Sequence, residues 1–508
     1  MLFNSYPFLF VYLPIAFAGF FLCAKVGIRT AAGWLGLMSV AFYGYWNPAH
    51  VPLLLASVVF NYAVGTALAK GAGGPRRAKA LLVVGVAVDL AILCYYKYAG
   101  FFVANLNTLS GWEWKVGVSV LPLGVSFFTF TQIAFLADAY RGLVREYDFV
   151  RYLLFVTFFP HLVAGPVLHH GQMMPQFAQR ATYRIDWTNI AAGLTFFAIG
   201  LFKKVVVADG FAPYADGAFD AVRDGTALSF AEAWVGVTAY ALQLYFDFSG
   251  YSDMAIGLAR LFNIRLPLNF DSPYKAVNIV EFWRRWHMTL STFLRDYLYI
   301  PLGGNRHGTA RRHLNLMVTM LLGGLWHGAG WTFVVWGGLH GAYLVANHGW
   351  QALRSRRQGT AGNGAIGRLA GGALTFAAVL VAWVFFRSAD LTAALRMLES
   401  MAGGNGISLP GSWRGLAGGY DAGALFGGVL PNLPWEPRAA FTTLGLGLAI
   451  VWLLPNTQQF MGEQAGGSGA AARLTWRPGA ISAALVGLVF AYSLLRIDAL
   501  SPFLYFQF

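Results

Sequence analysis

The sequence predicts an all-α polytopic membrane protein, and three observations predict it. Of its 508 residues, 57% are hydrophobic and only 11% charged, against about a quarter charged in soluble domains. Apolar stretches close to the ~20 residues a spanning helix needs recur along the whole chain. No hydrophilic region is long enough to form an independent soluble domain. Residues 1–508 therefore read as a single transmembrane domain, with roughly ten to twelve spanning or re-entrant segments by the ~20-residue criterion.

In chain order, the apolar runs are Pro7–Cys23, Val51–Leu68, Ala80–Tyr96, Ile190–Ala208, Phe376–Phe386 with its flanks, Ala440–Leu454 and Ile481–Leu495. The first has neither a basic leading region nor an A-x-A site, so it reads as a retained helix. Basic residues collect in the connections: Lys25 and Arg29, then Lys70, Arg76, Arg77 and Lys79, then Arg354, Arg356 and Arg357. Orientation rules use such residues on the cytoplasmic side. The net charge of +14 is thus accounted for by topology and is not a nucleic-acid signal. Cys23 and Cys94 lie in apolar runs without a CxxC spacing and read as packing residues. Arg354–Arg368 and Met401–Pro437 read as loops, the second rich in the Gly, Pro and Trp that suit a membrane boundary. No repeat of 20–50 residues and no inverted duplication is visible, which weighs against many transporter folds.

Between Val116 and Val345, Pro, Gly and charged residues interrupt the apolar runs. Irregular backbone at membrane depth is tolerated only when buried in protein or lining water, and charges there mark function or pairing. A rim of ordinary helices around a broken, polar centre is expected, with the chemistry in the centre at about residues 116–348. Asp247 and Asp253 in FDFSGYSD are candidates for ion pairing, with Arg260 or a basic residue elsewhere. In VEFWRRWH, Glu281 and Arg285 have the spacing of a helical ion pair. Arg284 and His287 would share a face, pointing together at an anionic or thioester group. Trp283 and Trp286 suit packing, and His169 and His170 a loop.

Metal chemistry lacks support from spacing: there is no HExxH, no Cys/His quartet and no facial triad. GxSxG and GxxxxGK[ST] are also absent, so neither a hydrolase elbow nor a nucleotide motor is encoded. A histidine acting as general base remains. His327, in GGLWHGAGW, is flanked by Gly323, Gly324, Gly328, Ala329 and Gly330, which allow a backbone or a ligand to approach. His340 also has glycine neighbours. On one continuous helix at ~100° per residue the two would stand roughly 220° apart and serve different sites.

The run from Tyr245 to Arg306, YFDFSGYSDMAIGLARLFNIRLPLNFDSPYKAVNIVEFWRRWHMTLSTFLRDYLYIPLGGNR, together with LLGGLWHGAGWTFVVWGGLHG, resembles the membrane-bound O-acyltransferase (MBOAT) family. The likeness is to the bacterial, alginate-type polysaccharide O-acetylation branch. MLFNSYPFLFVYLPI, PLGVSFFTF, AGPVLHH and SPFLYFQF are similar as well, and the likeness is weakest across Ala389–Pro437 and Met461–Pro478. The resemblance implies a ring of transmembrane helices around a thin core of broken helices. A cytosolic funnel should lead to the family histidine, which falls on His327, with the second family histidine on His287.

It further implies an O-acetyltransferase of the bacterial inner membrane, passing acetyl from cytosolic acetyl-CoA across the bilayer to an exported polysaccharide. Acetyl-CoA is a substrate, with no permanently bound cofactor and no metal. Partners are SGNH-type periplasmic or membrane-anchored acetyltransferases and the polysaccharide machinery. His327 is expected as base, with His287 and Arg284 or a backbone donor at the oxyanion. Trp283, Asn278, Asp247, Ser249 and Trp326, with Arg284, are expected against substrate. The funnel is expected along Asp247–Asp253, Asn278–Arg295 and Leu321–Trp331, and partner docking at Ala389–Pro437. Two alternatives stay open: D-alanyl transfer from a phosphopantetheine carrier towards teichoic acid, and a transporter or channel without transfer chemistry.

Overall fold

The computed structural model of the protein describes residues 1–71, 73–117, 120–144, 148–163, 165–358, 364–407, 432–433, 435–463, 475–497 and 503–504. Among them no β-strand occurs. The helices that frame the molecule are α1 (Phe8–Val26), α2 (Ile28–Trp46), α3 (Pro48–Ala69) and α4 (Pro75–Ser110). After these come α5 (Val125–Tyr140), α6 (Phe149–Thr157), α7 (His170–Ala178), α8 (Trp187–Arg223) and α9 (Phe230–Leu261).

Of these, α1, α3, α4 and α8 are long and apolar enough to cross a membrane, as is the later α14 (Ala365–Arg387). Two shorter apolar helices, Pro437–Leu453 and Ala480–Leu495, correspond to the last two apolar runs read from the sequence. Pro48, Pro75 and Pro437 open their helices, at the position where the missing N–H was an orphan in any case.

At the centre stands α9. At ~1.5 Å per residue its 32 residues run about 48 Å, and nearly all of them are buried. Its start is fixed by a capping box, with Ser229 and Glu232 satisfying each other's backbone. It packs against α8 through two glycine pairs. A Cβ on Gly200 would lie 2.6 Å from the Gly250 carbonyl oxygen, and one on Gly193 would lie 2.7 Å from that of Gly257. Only hydrogens fit at both crossings, so the two backbones touch there.

Such proximity places the buried charges of the two helices in reach of one another. A wide π-helical turn in α8, Lys203–Ala208, presents Lys203 and Lys204. Lys204 pairs with Asp247 and with Asp209, each at 2.8 Å. Lys203 pairs with Asp253 at 2.9 Å, and Thr457 and Gln458 donate to that same carboxylate at 2.6 and 2.8 Å. The partners expected for the two aspartates are therefore lysines of the neighbouring helix. Arg260 pairs instead with Glu463 and donates to Asn189.

Beyond α9 the chain breaks up as the sequence suggests. Short α10 (Ile279–Arg285) and α11 (Met288–Leu294) are followed by a π-helical turn, Arg295–Tyr299. Then come the hairpin of α12 (Gly308–His327) and α13 (Trp331–Gln358), α14, α15 (Leu391–Met401), α16 (Pro437–Leu453) and α17 (Ala480–Leu495). The loop cores 359–363 and 408–431, hence much of the expected docking segment, lie outside the described residues.

Candidate active site

The hairpin carries the two histidines that composition singled out. His327 is the last residue of α12, Gly328 is extended, and α13 starts at Trp331. The chain thus turns back where a continuous helix was assumed, and the expected separation of His327 from His340 does not hold. Trp336 stands between them, its ring 5.0 Å from the His327 ring and 4.8 Å from that of His340. The glycines serve the hairpin itself. A Cβ on Gly324 would strike the Phe333 carbonyl and the Gly337 backbone, and one on Gly337 would strike the Met320 carbonyl.

Ending a helix inside the molecule leaves carbonyl groups without partners. Two residues of the π-helical turn Cys94–Tyr98 in α4 supply them. Lys97 Nζ donates to the carbonyls of Trp326 at 2.5 Å and His327 at 3.0 Å. Tyr98 Oη donates to that of Leu325 at 2.9 Å. A cation at a helix C-terminus is also favoured by the helix dipole. Neither residue is visible as functional in sequence, because α4 and α12 are far apart in the chain.

His287 also packs against Trp326. The Trp326 ring is 4.9 Å from that of His327 and 6.3 Å from that of His287. His287 follows the end of α10 and has φ of 43°, a left-handed conformation that a non-glycine residue adopts only under constraint. The constraint is visible. Its Nδ1 lies 3.1 Å from Asn269 Oδ1, and the Met288 N–H donates to the Asn269 carbonyl at 2.9 Å. Both histidines are buried, at 1% and 6% exposure for His287 and His327. A cavity of about 270 Å³ is lined by Trp326 and His327 with Lys97, Trp46, Leu121–Phe127 and Val163.

The profile described as "MBOAT, membrane-bound O-acyltransferase family" matches residues 93–387, which include both histidines, Lys97 and Asn269. The chain belongs to the membrane-bound O-acyltransferase family. It is 44% identical over 437 residues to the peptidoglycan O-acetyltransferase of Helicobacter pylori, covering 80% of this chain and 81% of the relative. It is 38% identical over 539 aligned positions, spanning both chains in full, to the probable alginate O-acetylase AlgI of Pseudomonas aeruginosa. With the teichoic acid D-alanyltransferase of Streptococcus thermophilus it shares 29% identity over 246 residues, 46% of this chain and 58% of the relative. Membership makes this chain a multi-pass membrane acyltransferase, and the all-helical fold agrees.

Within this MBOAT chain the remaining expected site residues are dispersed. Arg284 does not line the cavity at His327. The helix it was to share with His287 ends at Arg285 and the backbone turns through Trp286, so Arg284 is exposed while His287 is buried. Arg284 lines a separate cavity of about 570 Å³ with Trp283, Arg295, Arg312, Tyr299 and His348. Of the three stretches expected to line a funnel to His327, only Asn278–Arg295 contributes to this cavity, and no residue of Asp247–Asp253 or of Leu321–Trp331, His327 included, lines it. Trp283 lines it too and donates from Nε1 to His340 Nδ1 at 3.3 Å.

Asn278 caps α10 by accepting the Glu281 N–H at 2.9 Å, and Glu281 pairs with Arg285 at 2.6 Å as its spacing predicted. Asp247 is held by Lys204 and by the Leu504 N–H at 3.0 Å. Ser249 is buried in α9. Asp247 and Asn278 thus have structural partners that account for their burial or position without a substrate.

A cluster of ligand type does form elsewhere. Asp138, at the end of α5, meets His169 Nε2 at 2.5 Å, His170 Nδ1 at 3.2 Å and the Tyr297 hydroxyl at 2.7 Å. Residue spacing hid it, since Asp138 lies well upstream. His169 Nδ1 accepts the Gly171 N–H at 3.2 Å, which leaves the imidazole proton on Nε2, directed at the carboxylate. A metal ligand needs a lone pair at that atom. The cluster is a hydrogen-bonded tie between α5, the start of α7 and the π-helical turn after α11.

Proposed function

We propose that this acyltransferase passes acetyl groups from cytosolic acetyl-CoA through the bilayer for O-acetylation of an exported polysaccharide. The observation that carries the reading is the convergence of two buried histidines on the Trp326 ring, with His327 and Trp326 lining a small cavity. The family match and the O-acetyl-transferring relatives, which align over four-fifths of the chain or more, support it. The D-alanyl-transferring relative aligns over less than half.

The two cavities suit two substrates. Basic connections face the cytoplasm in bacterial inner-membrane proteins. The cavity with Arg284, Arg295, Arg312 and His348 lies at that basic end. Its guanidinium groups match the phosphates of a CoA donor. The cavity at His327 is bordered by Trp46 and Leu121–Gly124, at the ends of α2 and before α5 that face away from the basic loops. An acceptor hydroxyl entering there would attack the thioester carbonyl. Its proton passes to His327, the carbon–sulfur bond breaks, and the CoA thiolate leaves towards the cytoplasm and is protonated. General-base assistance of this kind contributes ~10²–10⁴-fold. Because the acetyl group is handed over at the far side, an SGNH-type partner completes the transfer to polysaccharide.

The test is reconstitution. Purified chain in liposomes receives labelled acetyl-CoA outside or inside, with and without the SGNH-type partner and polysaccharide. Acetyl transfer that disappears in His327→Ala is expected. Retention of wild-type transfer by a well-folded His327→Ala protein would overturn the assignment.

A further inference from the structure

The hydrogen bonds around Asn269 determine where the proton sits on His287. The Val167 backbone N–H can only donate, and it donates to Thr289 Oγ1 at 3.0 Å. With that contact made, the Thr289 hydroxyl hydrogen is free to donate to Asn269 Oδ1, 2.9 Å away. The Thr289 backbone N–H reaches the same oxygen at 3.4 Å. Two donors thus fix the amide so that its oxygen, not its nitrogen, faces Thr289 and His287. His287 Nδ1, 3.1 Å from that oxygen, must itself carry a hydrogen. In a neutral ring the lone pair then resides on Nε2.

We infer that Asn269 is a positioning residue: it holds His287 as the Nδ1–H tautomer, so that Nε2 enters the reaction as a hydrogen-bond acceptor. This differs from the oxyanion donor expected from sequence. The residue is built for that task. Asn269 is fully buried, and its amide nitrogen has no partner among the described residues. Burying an amide group with unmet donors is unfavourable, and a leucine at this position would avoid it. A separate backbone bond, from the Met288 N–H to the Asn269 carbonyl, helps hold His287 in its left-handed conformation and does not depend on the side chain. The logic is that of a base whose second nitrogen is oriented by a neighbouring side chain.

The inference rests on the proposed acyl transfer for its purpose, but not for its first test. Full-length protein in lipid nanodiscs, labelled with ¹⁵N in the histidine rings, gives a spectrum in which His287 is assigned by its loss in His287→Gln. A proton on Nδ1 in wild type, and a shift towards the Nε2–H form in Asn269→Leu, is the expected result. An unprotonated Nδ1 in wild type overturns the inference.

Kinetics provide the second test. Asn269→Leu should lower kcat by about 100-fold, the low end of general-base assistance, with the donor KM little changed. Asn269→Asp keeps an acceptor oxygen and should recover most of that loss. Equal loss in both variants, or an effect on KM alone, overturns the positioning role. Failure of the acetyl-transfer reading would look different: wild type would transfer nothing, while its spectrum stayed as expected.

Discussion

Lys97 and His327 are joined by a hydrogen bond of 3.0 Å from the ammonium of one to the carbonyl of the other, at the point where α12 stops. The same ammonium holds the Trp326 carbonyl at 2.5 Å. Removing it in Lys97→Met leaves two buried helix-end carbonyls without their donor, and hydrogen bonds to charged groups contribute about 1.5–3 kcal/mol each. Expected is a transfer rate at least tenfold lower in protein that still purifies as a monodisperse species, measured by labelled acetyl release. An unchanged rate would separate this cap from the function of His327.

The two histidines should not act independently. Residues that work as one unit give strongly non-additive losses. His327→Ala and His287→Ala should each lower kcat by ~10²–10⁴-fold, and the double variant should be little worse than the poorer single one. Losses that multiply would assign the two imidazoles to separate steps.

Ion pairing between α8 and α9 makes a stability prediction. Lys204→Met strands Asp247, which is buried and is otherwise contacted by the Leu504 N–H. Removing one partner of a buried pair costs about 3–5 kcal/mol. The double variant Lys204→Met/Asp247→Leu should be more stable than Lys204→Met in a thermal-denaturation series read by size exclusion. A double variant worse than both singles would contradict the pairing.

At the glycine crossings the expected effect is steric. Gly200→Val places a branched side chain where the Gly250 carbonyl oxygen is 2.6 Å from the new Cβ. Overpacking costs typically 1–3 kcal/mol where neighbours can yield, and here the neighbour is backbone. Membrane-integrated yield should fall sharply. Gly210→Val, where the added Cβ meets no side chain or neighbouring helix within 4 Å, should be tolerated.

Sidedness can be read with an impermeant thiol reagent after Cys23 and Cys94 are replaced by serine. Arg284→Cys should label from the side of the basic loops, and Leu121→Cys from the opposite side. Labelling of both from one face would falsify the two-sided arrangement.

The spans were legible because each apolar run is long enough to declare itself without knowledge of its neighbours. The same holds for the Glu281–Arg285 pair, which is local. The prominence of His327 was legible from its setting, but its environment was not. The break at Gly328 depends on α13 packing back across Gly324 and Gly337, a contact that periodicity does not encode. Lys97 reads in sequence as one more residue of an apolar span, and Asn269 as one more loop residue. Both gain meaning only from partners distant in the chain or across a turn. The face expected to be shared by Arg284 and His287 was lost for a related reason: sharing a face requires one unbroken helix, and the backbone departs from it at Trp286.

The ring of Tyr251, in the middle of α9, is stacked on Phe3 at 4.9 Å and meets Phe503 edge-on at 4.5 Å. Residue 504 also supplies a hydrogen bond to Asp247. During synthesis, α9 therefore leaves the ribosome with one wall of its aromatic slot already made and the other some 250 residues from being translated. Helices can enter the bilayer one by one, yet the centre stays unsealed until Phe503 and Leu504 have emerged. Quality control that senses an open slot of this kind would reject a nascent chain stalled short of Phe503, although every earlier span had inserted correctly.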